Sequence, residues 1–206
     1  LQQRVETLKS AARFEETQEI YRAFLARHPD SPHAEDLRAA LAGIPALIDQ
    51  RDYDRLAASP ADDLEALVRA AEAYQLNHPT GKFREAVEQK LVQLARPYYE
   101  AIKSELERCE AEQAWERCVA RCDDYARVYK DNPYALELKG RRNTFQIRLQ
   151  NAQILQDLKA RAMAAGRDLA AARQVYTDYL AAHPNSAAEK LIRAEMAALE
   201  ESLNRQ

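Results

Sequence analysis

One short pattern recurs four times along this chain of 206 residues, at nearly equal intervals. Each copy places aromatic or apolar residues at helical spacing ahead of a proline, and the copies align on Pro29, Pro79, Pro133 and Pro184. The prolines are 50, 54 and 51 residues apart, and histidine precedes all of them except Pro133, which follows Asn132. Such regularity predicts an internal repeat whose copies bury their apolar faces by stacking on one another.

The residues ahead of each proline indicate an amphipathic helix. Eight positions before the prolines lie Tyr21, Ala71, Tyr125 and Tyr176, and five positions before them lie Phe24, Tyr74, Val128 and Tyr179. Residues three apart share one face of a helix, and the residue before a proline is disfavoured in the α conformation. The pattern therefore predicts short helices, each ending at a corner, near residues 12–28, 62–78, 112–131 and 167–183.

A second helix is predicted after each corner. Ser31 followed by Pro32 supplies a cap and a first-turn proline, and Ser186 with Glu189 forms a capping box. Eight positions past the prolines lie Leu37, Val87, Arg141 and Ile192, so the apolar stripe continues with one exception in the third copy. Long helices are expected near 31–58, 81–110, 133–163 and 186–204, with kinks or breaks at Pro45, Pro97 and Gly140.

These helices predict an all-α fold. Antiparallel helical hairpins would stack as an α-solenoid or elongated helical array, and a spectrin-like bundle of long helices is the alternative. No strand pattern of period two occurs. We expect one helical-repeat domain over residues 1–206, with four units near 1–58, 59–110, 111–163 and 164–206.

The motif Tyr-x-x-Phe-Leu-x-x-His-Pro-x-Ser, from Tyr21 to Ser31 and echoed from Tyr176 to Ser186, resembles the second helix of tetratricopeptide-like (TPR-like) repeats. The likeness is greatest to those of bacterial envelope and scaffold proteins. It covers four short segments, the period is about 50 residues rather than the usual 34, and the first-helix Trp, Leu-Gly and Tyr pattern is absent. The resemblance implies a bacterial α-helical scaffold that binds another polypeptide.

Charge and composition restrict the partners and the compartment. The formal net charge of −3 argues against nucleic acid or an anionic membrane as the partner, and no apolar run reaches the length of a membrane span, so membrane insertion is not expected. A start at Leu1 rather than Met indicates a fragment of a larger protein, in which targeting segments can lie elsewhere. Three cysteines form a poor disulfide framework and favour a reducing, cytoplasmic compartment.

The residues that could carry chemistry have simpler structural interpretations. His28, His78 and His183 occupy one repeated helix end, and Cys118 aligns with apolar residues of the other copies. Four glycines cannot build a phosphate-binding loop. We therefore expect no cofactor and no metal, and predict a non-catalytic protein–protein interaction or scaffolding module. The alternatives are a spacer between domains or a homo-oligomerisation module, with an enzyme ranked last.

Residues that leave the repeat pattern are the predicted contacts for a protein or peptide partner. Trp115 aligns with Ala11, Ala61 and Gly166, so it breaks the repeat; it either fills a local gap in the packing, the favoured interpretation, or is exposed as a binding anchor. Arg141 and Arg142 lie in the densest basic run. Tyr98 and Tyr99 are adjacent, and we expect that they cannot both face one core, which would leave one of them exposed or at an interface. Aromatic residues and arginine are enriched at interface hot spots.

Overall fold

Every regular element that the computed structural model describes, over residues 2–166 and 168–204, is an α-helix. Within those ranges the helices are α1 (Gln2–Ser10), α2 (Phe14–Arg27), α3 (Ala34–Ala57), α4 (Leu64–Asn77), α5 (Arg84–Ala111), α6 (Trp115–Val128), α7 (Pro133–Ala164), α8 (Leu169–Ala182) and α9 (Glu189–Asn204). Helix α2 packs on α3, α6 packs on α7, and α8 contacts both α7 and α9. The predicted all-α array of packed helices is confirmed.

The chain divides into two compact units, Leu1–Tyr98 and Tyr99–Gln206, and the boundary lies within α5. In the first unit, Val5, Tyr21 and Ile44 form the centre of one buried apolar cluster. In the second, Leu158 and Ala162 of α7 pack with Ala172 and Tyr176 of α8 and with residues of α9. Helices from successive copies thus share a core within that unit.

Short and long helices alternate as the aromatic spacing predicts. Each short helix has 14 residues. The sequence pattern did not predict α1, which packs against α2. The long helices α3, α5 and α7 continue through Pro45, Pro97 and Gly140, so no break occurs at these residues.

All four corners are built around a pair of rings. The cap residues His28, His78, Tyr129 and His183 each donate a backbone N–H, over 2.9–3.0 Å, to the carbonyl of the aromatic residue four positions earlier. Their rings lie 4.5–4.9 Å, between centroids, from the rings of Phe24, Tyr74, Tyr125 and Tyr179, respectively. A tyrosine therefore takes the place of histidine in the third copy without changing the corner.

This corner corrects the register of the third copy. Tyr129 is the C-cap of α6, as His28 is the C-cap of α2, so the residue after it, Lys130, is the counterpart of Pro29. Pro133 then corresponds to Pro32. Pro133 is the first residue of α7, capped by Asn132, whose side chain accepts the Ala135 N–H. The sequence alignment on Pro133 was thus wrong by three positions, and the caps are 50, 51 and 54 residues apart.

The corrected register removes two apparent irregularities. Nine positions past the caps lie Leu37, Val87, Leu138 and Ile192, all apolar, so Leu138 rather than Arg141 continues the stripe. Leu138 is fully buried. Fourteen positions before the caps lie Phe14, Leu64, Trp115 and Leu169, so Trp115 occupies a regular apolar position at the start of its helix. The prediction that it breaks the repeat was wrong.

The turns before three short helices contain a residue in the left-handed conformation, with φ of 54° at Ala12, 55° at Gln113 and 66° at Gly166. This conformation strains residues that carry a Cβ, and Gln113 is exposed. Gln113→Gly is expected to raise the free energy of unfolding by about 0.5–1 kcal/mol. Gly166→Ala, which meets no atom within 4 Å, should lower it by about 1 kcal/mol. Urea denaturation would measure both, and a destabilised Gln113→Gly would contradict the prediction.

Candidate functional site

A groove of about 630 Å³ lies between the first turn of α6 and the second half of α7. Its position follows from the repeat, because the short helix begins beside the long helix of its own hairpin. The lining residues come from the turn before α6, from α6 and from α7; they are Gln113, Ala114, Trp115, Glu116, Arg117, Ala120, Leu149, Ala152, Gln153 and Gln156. All of them belong to the second compact unit.

Trp115 forms the aromatic wall of this groove. Its half-buried ring stacks on Phe145, with centroids 6.3 Å apart and planes 22° apart. Phe145 is buried, so the indole is anchored to the core of the hairpin. The guanidinium of Arg148 lies 5.0 Å from the indole centroid, a cation–π geometry. The indole is thus held between core and surface, with part of it exposed beside the groove.

Amide side chains supply most of the polar lining. Gln113, Gln153 and Gln156 are exposed, and each amide offers both hydrogen-bond donors and an acceptor. The cations near the groove are held by acids: Arg117 donates to Glu112, and Arg148 donates to Glu110. Such amides can form hydrogen bonds with a peptide backbone, and the aromatic wall beside them can pack against the side chains of the peptide.

The first copy has a groove at the equivalent place. It has a volume of about 460 Å³ and is lined by residues of α3, by the C-cap residue Ala58, and by Ala12 and Phe14, the counterparts of Gln113 and Trp115. Arg51 lies 5.8 Å from the Phe14 centroid, so an arginine again approaches the aromatic ring. The groove is therefore a feature of the repeated hairpin in at least two copies.

Of the predicted contact residues, only Trp115 lines the groove. Arg141 lies 5.6 Å from the centroid of Phe145, the ring on which Trp115 stacks, and 3.7 Å from a carboxylate oxygen of Glu110. Arg142 pairs with Asp123 through both carboxylate oxygens, at 2.5 and 3.1 Å. These arginines join α7 to its neighbours in the second unit.

Tyr98 and Tyr99 are both buried, at 4% and 5% exposure, so the expectation that one of them reaches the surface was wrong. The Tyr99 hydroxyl donates to Glu137 at 2.6 Å, and its ring stacks on Tyr134 with centroids 4.6 Å apart. Burial, with the Glu137 carboxylate, raises the pKa of Tyr99 to about 12. Its hydroxyl is a structural donor.

A polar cluster that the sequence did not reveal lies between α3 and the second corner. The buried Asp49 accepts hydrogen bonds from the Tyr74 hydroxyl and, at 2.7 Å, from the Lys82 N–H. The Tyr74 hydroxyl in turn accepts the Phe83 N–H at 3.2 Å. Burial, together with Asp49, raises the pKa of Tyr74 to about 12. We call Asp49, Asp52, Tyr74 and His78 the Asp49 cluster.

Asp52 is the second carboxylate of the Asp49 cluster, and both of its oxygens also have protein partners. Asp52 accepts from Arg51 Nε at 2.9 Å, and its other oxygen lies 2.9 Å from His78 Nε2. Burial alone would raise the pKa of Asp52, but the hydrogen bonds from Arg51 and His78 outweigh it, and the pKa lies below its ordinary value. Each carboxylate oxygen of Asp49 and Asp52 has a protein partner. The cluster therefore joins the first hairpin to the second through hydrogen bonds.

Arg51 joins the Asp49 cluster to α2 as well, and its ion pair with Glu15 makes the free energy of unfolding depend on pH. It donates to both oxygens of Glu15, at 2.8 and 2.6 Å, and to the Ala12 carbonyl at 3.0 Å. These hydrogen bonds lower the pKa of Glu15 from 4.5 to about 2. A lowered carboxylate pKa stabilises the fold above the ordinary value, and that contribution disappears as the pH falls toward the lowered value.

Glu15→Gln is expected to reduce the urea midpoint at pH 7, and its difference from the wild type should shrink as the pH falls from 4.5 to about 2. Urea titrations at several pH values would measure the difference. Glu19→Gln, at an exposed position of the same helix, is the matched control and should change the urea midpoint only slightly at pH 7. A Glu15→Gln difference that stays constant with pH would contradict the prediction.

Comparison of the chain with protein-family models, curated proteins and solved structures gives no match. In the described part of the chain, no group of three or more His, Cys, Asp or Glu side chains is placed to hold a metal ion. Nor does any helix in residues 2–166 and 168–204 have the length and apolar character needed to cross a membrane.

Proposed function

We propose that this chain is a non-catalytic protein-interaction module that binds an extended peptide segment of another protein in the groove beside Trp115. The observation that carries the proposal is the anchored, half-buried indole at the edge of a groove lined by three exposed glutamines. Tryptophan is enriched at interface hot spots because it offers a large apolar area at low entropic cost. The amides supply hydrogen bonds to a peptide backbone.

The recurrence of the groove supports a role in binding. The aromatic wall occurs at the same place in the first and third hairpins, each time with an arginine near the ring. A scaffold that presents similar grooves along one chain can hold a partner at more than one point. The TPR-like motif around Tyr21–Ser31 also favours this scaffold function, in a bacterial protein as its resemblance implies.

Selection from a displayed library of random peptides would test the proposal. The expected result is a shared sequence motif whose synthetic peptide binds the chain and changes the fluorescence of Trp115, the single tryptophan. Gln153→Arg places a bulky charge in the groove and should weaken binding about tenfold or more, the equivalent of about 1.4 kcal/mol. Gln150→Arg, an exposed position of the same helix outside the groove lining, should leave affinity unchanged.

Two outcomes would contradict the proposal. A selection that yields no shared motif would favour a spacer between domains. Peptides that bind Gln153→Arg as tightly as the wild type would place the interaction on another surface. Circular dichroism would verify that both variants fold, so that lost affinity reports on the groove.

A further inference from the structure

One carboxylate of the groove between α6 and α7 has no hydrogen-bond or ion-pair partner among the described residues. This is Glu116, an exposed residue in the first turn of α6 that lines the groove. The arginines beside the groove are engaged with other acids, Arg117 with Glu112 and Arg148 with Glu110. The carboxylate of Glu116 is therefore available to a bound ligand.

The first copy of the repeat pairs the equivalent acid with an arginine. Glu15 is the second residue of its short helix, as Glu116 is of α6. Arg51 donates to both carboxylate oxygens of Glu15, at 2.8 and 2.6 Å, and to the Ala12 carbonyl at 3.0 Å. The same guanidinium lies 5.8 Å from the centroid of Phe14. One guanidinium thus contacts the acid, the preceding turn and the aromatic ring at this place in the hairpin.

The third copy has alanine where the other copies supply an arginine. In the corrected register, Ala152 of α7 takes the place of the first copy's arginine, and it lines the groove. The second copy has an arginine at a different position, because Glu65 pairs with Arg69 one helical turn later. One turn after Glu116 lies Ala120, which also lines the groove. The acid is thus retained in the third copy, while both arginine positions are alanine and border the groove.

We propose that the peptide segment bound in this groove contains an arginine whose guanidinium pairs with Glu116, as Arg51 pairs with the equivalent acid in the first copy. This arginine is a feature of the peptide ligand, so its assignment rests on the proposed function. A guanidinium has a planar fork of donors that matches both oxygens of a carboxylate, whereas lysine offers a single point charge. Its other donors can bond the Gln113 carbonyl, the counterpart of the Ala12 carbonyl. That carbonyl accepts the Trp115 N–H at 3.0 Å and has a second lone pair.

Ala152→Arg tests the acceptor without any peptide. This substitution places an arginine where the first copy has Arg51, so its effect on the urea midpoint should be more stabilising in the wild type than in a Glu116→Gln background. Gln150→Arg, at an exposed position of the same helix outside the groove lining, should shift the midpoint equally in both backgrounds. Equal shifts for Ala152→Arg in the two backgrounds would overturn the assignment of Glu116 as the guanidinium acceptor.

Peptides selected from the random library test the ligand itself. The expected motif contains an invariant arginine, and its replacement with citrulline, an uncharged side chain of the same length, should weaken binding about fivefold. Glu116→Gln should weaken binding of the arginine peptide by a similar factor and leave that of the citrulline peptide unchanged. Glu107→Gln, at an exposed position of α5 outside the groove lining, is the matched control and should leave both affinities unchanged.

The outcomes distinguish the arginine from the groove as such. A shared motif without arginine, or an arginine peptide that binds Glu116→Gln as tightly as the wild type, would overturn the assigned arginine and leave the groove as a peptide site. A selection without any shared motif would contradict the proposed function and the assigned arginine together. If Ala152→Arg fails to fold, the affinities of Glu116→Gln for the two peptides still decide the assignment.

Discussion

Replacing Gly81 with alanine is expected to lower the free energy of unfolding by about 3 kcal/mol. A Cβ at this position would lie 2.7 Å from the Tyr74 hydroxyl, 2.8 Å from a carboxylate oxygen of Asp49 and 2.8 Å from the Cβ of His78. The hydroxyl and carboxylate cannot simply move aside, because they bond to each other and to the backbone N–H groups of Lys82 and Phe83 in the turn before α5. Urea denaturation followed by circular dichroism would measure the loss.

Gly43→Ala is the matched control for this substitution. Gly43 is exposed within α3, in the same compact unit, and an added Cβ would meet nothing within 4 Å. Alanine favours a helix interior over glycine, so this variant should gain about 0.5–1 kcal/mol. A Gly81→Ala protein as stable as the wild type would show that the backbone at Gly81 does not lie in close contact with Tyr74, Asp49 and His78.

A double-mutant cycle would assign the cost to the hydroxyl contact. Tyr74→Phe removes the oxygen nearest the added Cβ, although it also removes a hydrogen bond to Asp49. Gly81→Ala should therefore cost less in the Tyr74→Phe background than in the wild type. Additive effects of the two substitutions would contradict a direct contact, because residues that touch are expected to couple.

Leu138→Ala is expected to lower the free energy of unfolding by about 2–5 kcal/mol, whereas Arg141→Ala should cost less than about 1 kcal/mol. Leu138 is fully buried on the stripe of α7, and its truncation would leave a cavity. Arg141 is partly exposed and makes an ion pair of 3.7 Å. The proline alignment placed Arg141 on that stripe, so the two variants distinguish the two registers.

Leu136→Ala provides the control, because it removes the same atoms from the same helix at a position that is 74% exposed. It should change the free energy of unfolding by less than about 0.5 kcal/mol. Urea midpoints and denaturant slopes for the three variants would complete the test. If Arg141→Ala proved as costly as Leu138→Ala, the corrected register of the third copy would be wrong.

The helices could be predicted from the sequence because they depend on local signals. Aromatic residues at helical spacing, followed by a proline, located the four short helices. Ser31 with Pro32 was a less accurate signal, because α3 begins at Ala34, after the N-cap residue His33. The same signal was present in the third copy as Asn132 with Pro133, a capping residue before a first-turn proline. Reading that pair as a start would have given the correct register.

The candidate site was less predictable, because its contacts join residues far apart along the chain. Hydrogen bonds within the Asp49 cluster join residues 25 and 26 positions apart, and the bond from the Lys82 N–H to Asp49 spans 33 positions. An aspartate within a helix otherwise indicates a solvent face. Tyr98 and Tyr99 were misjudged because one shared core was assumed, whereas they fall in different compact units. Trp115 was identified for the wrong reason: its position is regular, and the groove beside it depends on how α6 packs on α7.

Tyr129 has a consequence for finding related chains. The first, second and fourth copies have a histidine at the end of the short helix, whereas the third copy has Tyr129. The centroid of its ring still lies 4.8 Å from that of the preceding ring, Tyr125. The corner thus selects for a flat side chain of suitable size rather than for one chemical group. A search for two rings four residues apart at the close of a helix would find this unit in proteins from which histidine and the following proline have both been lost.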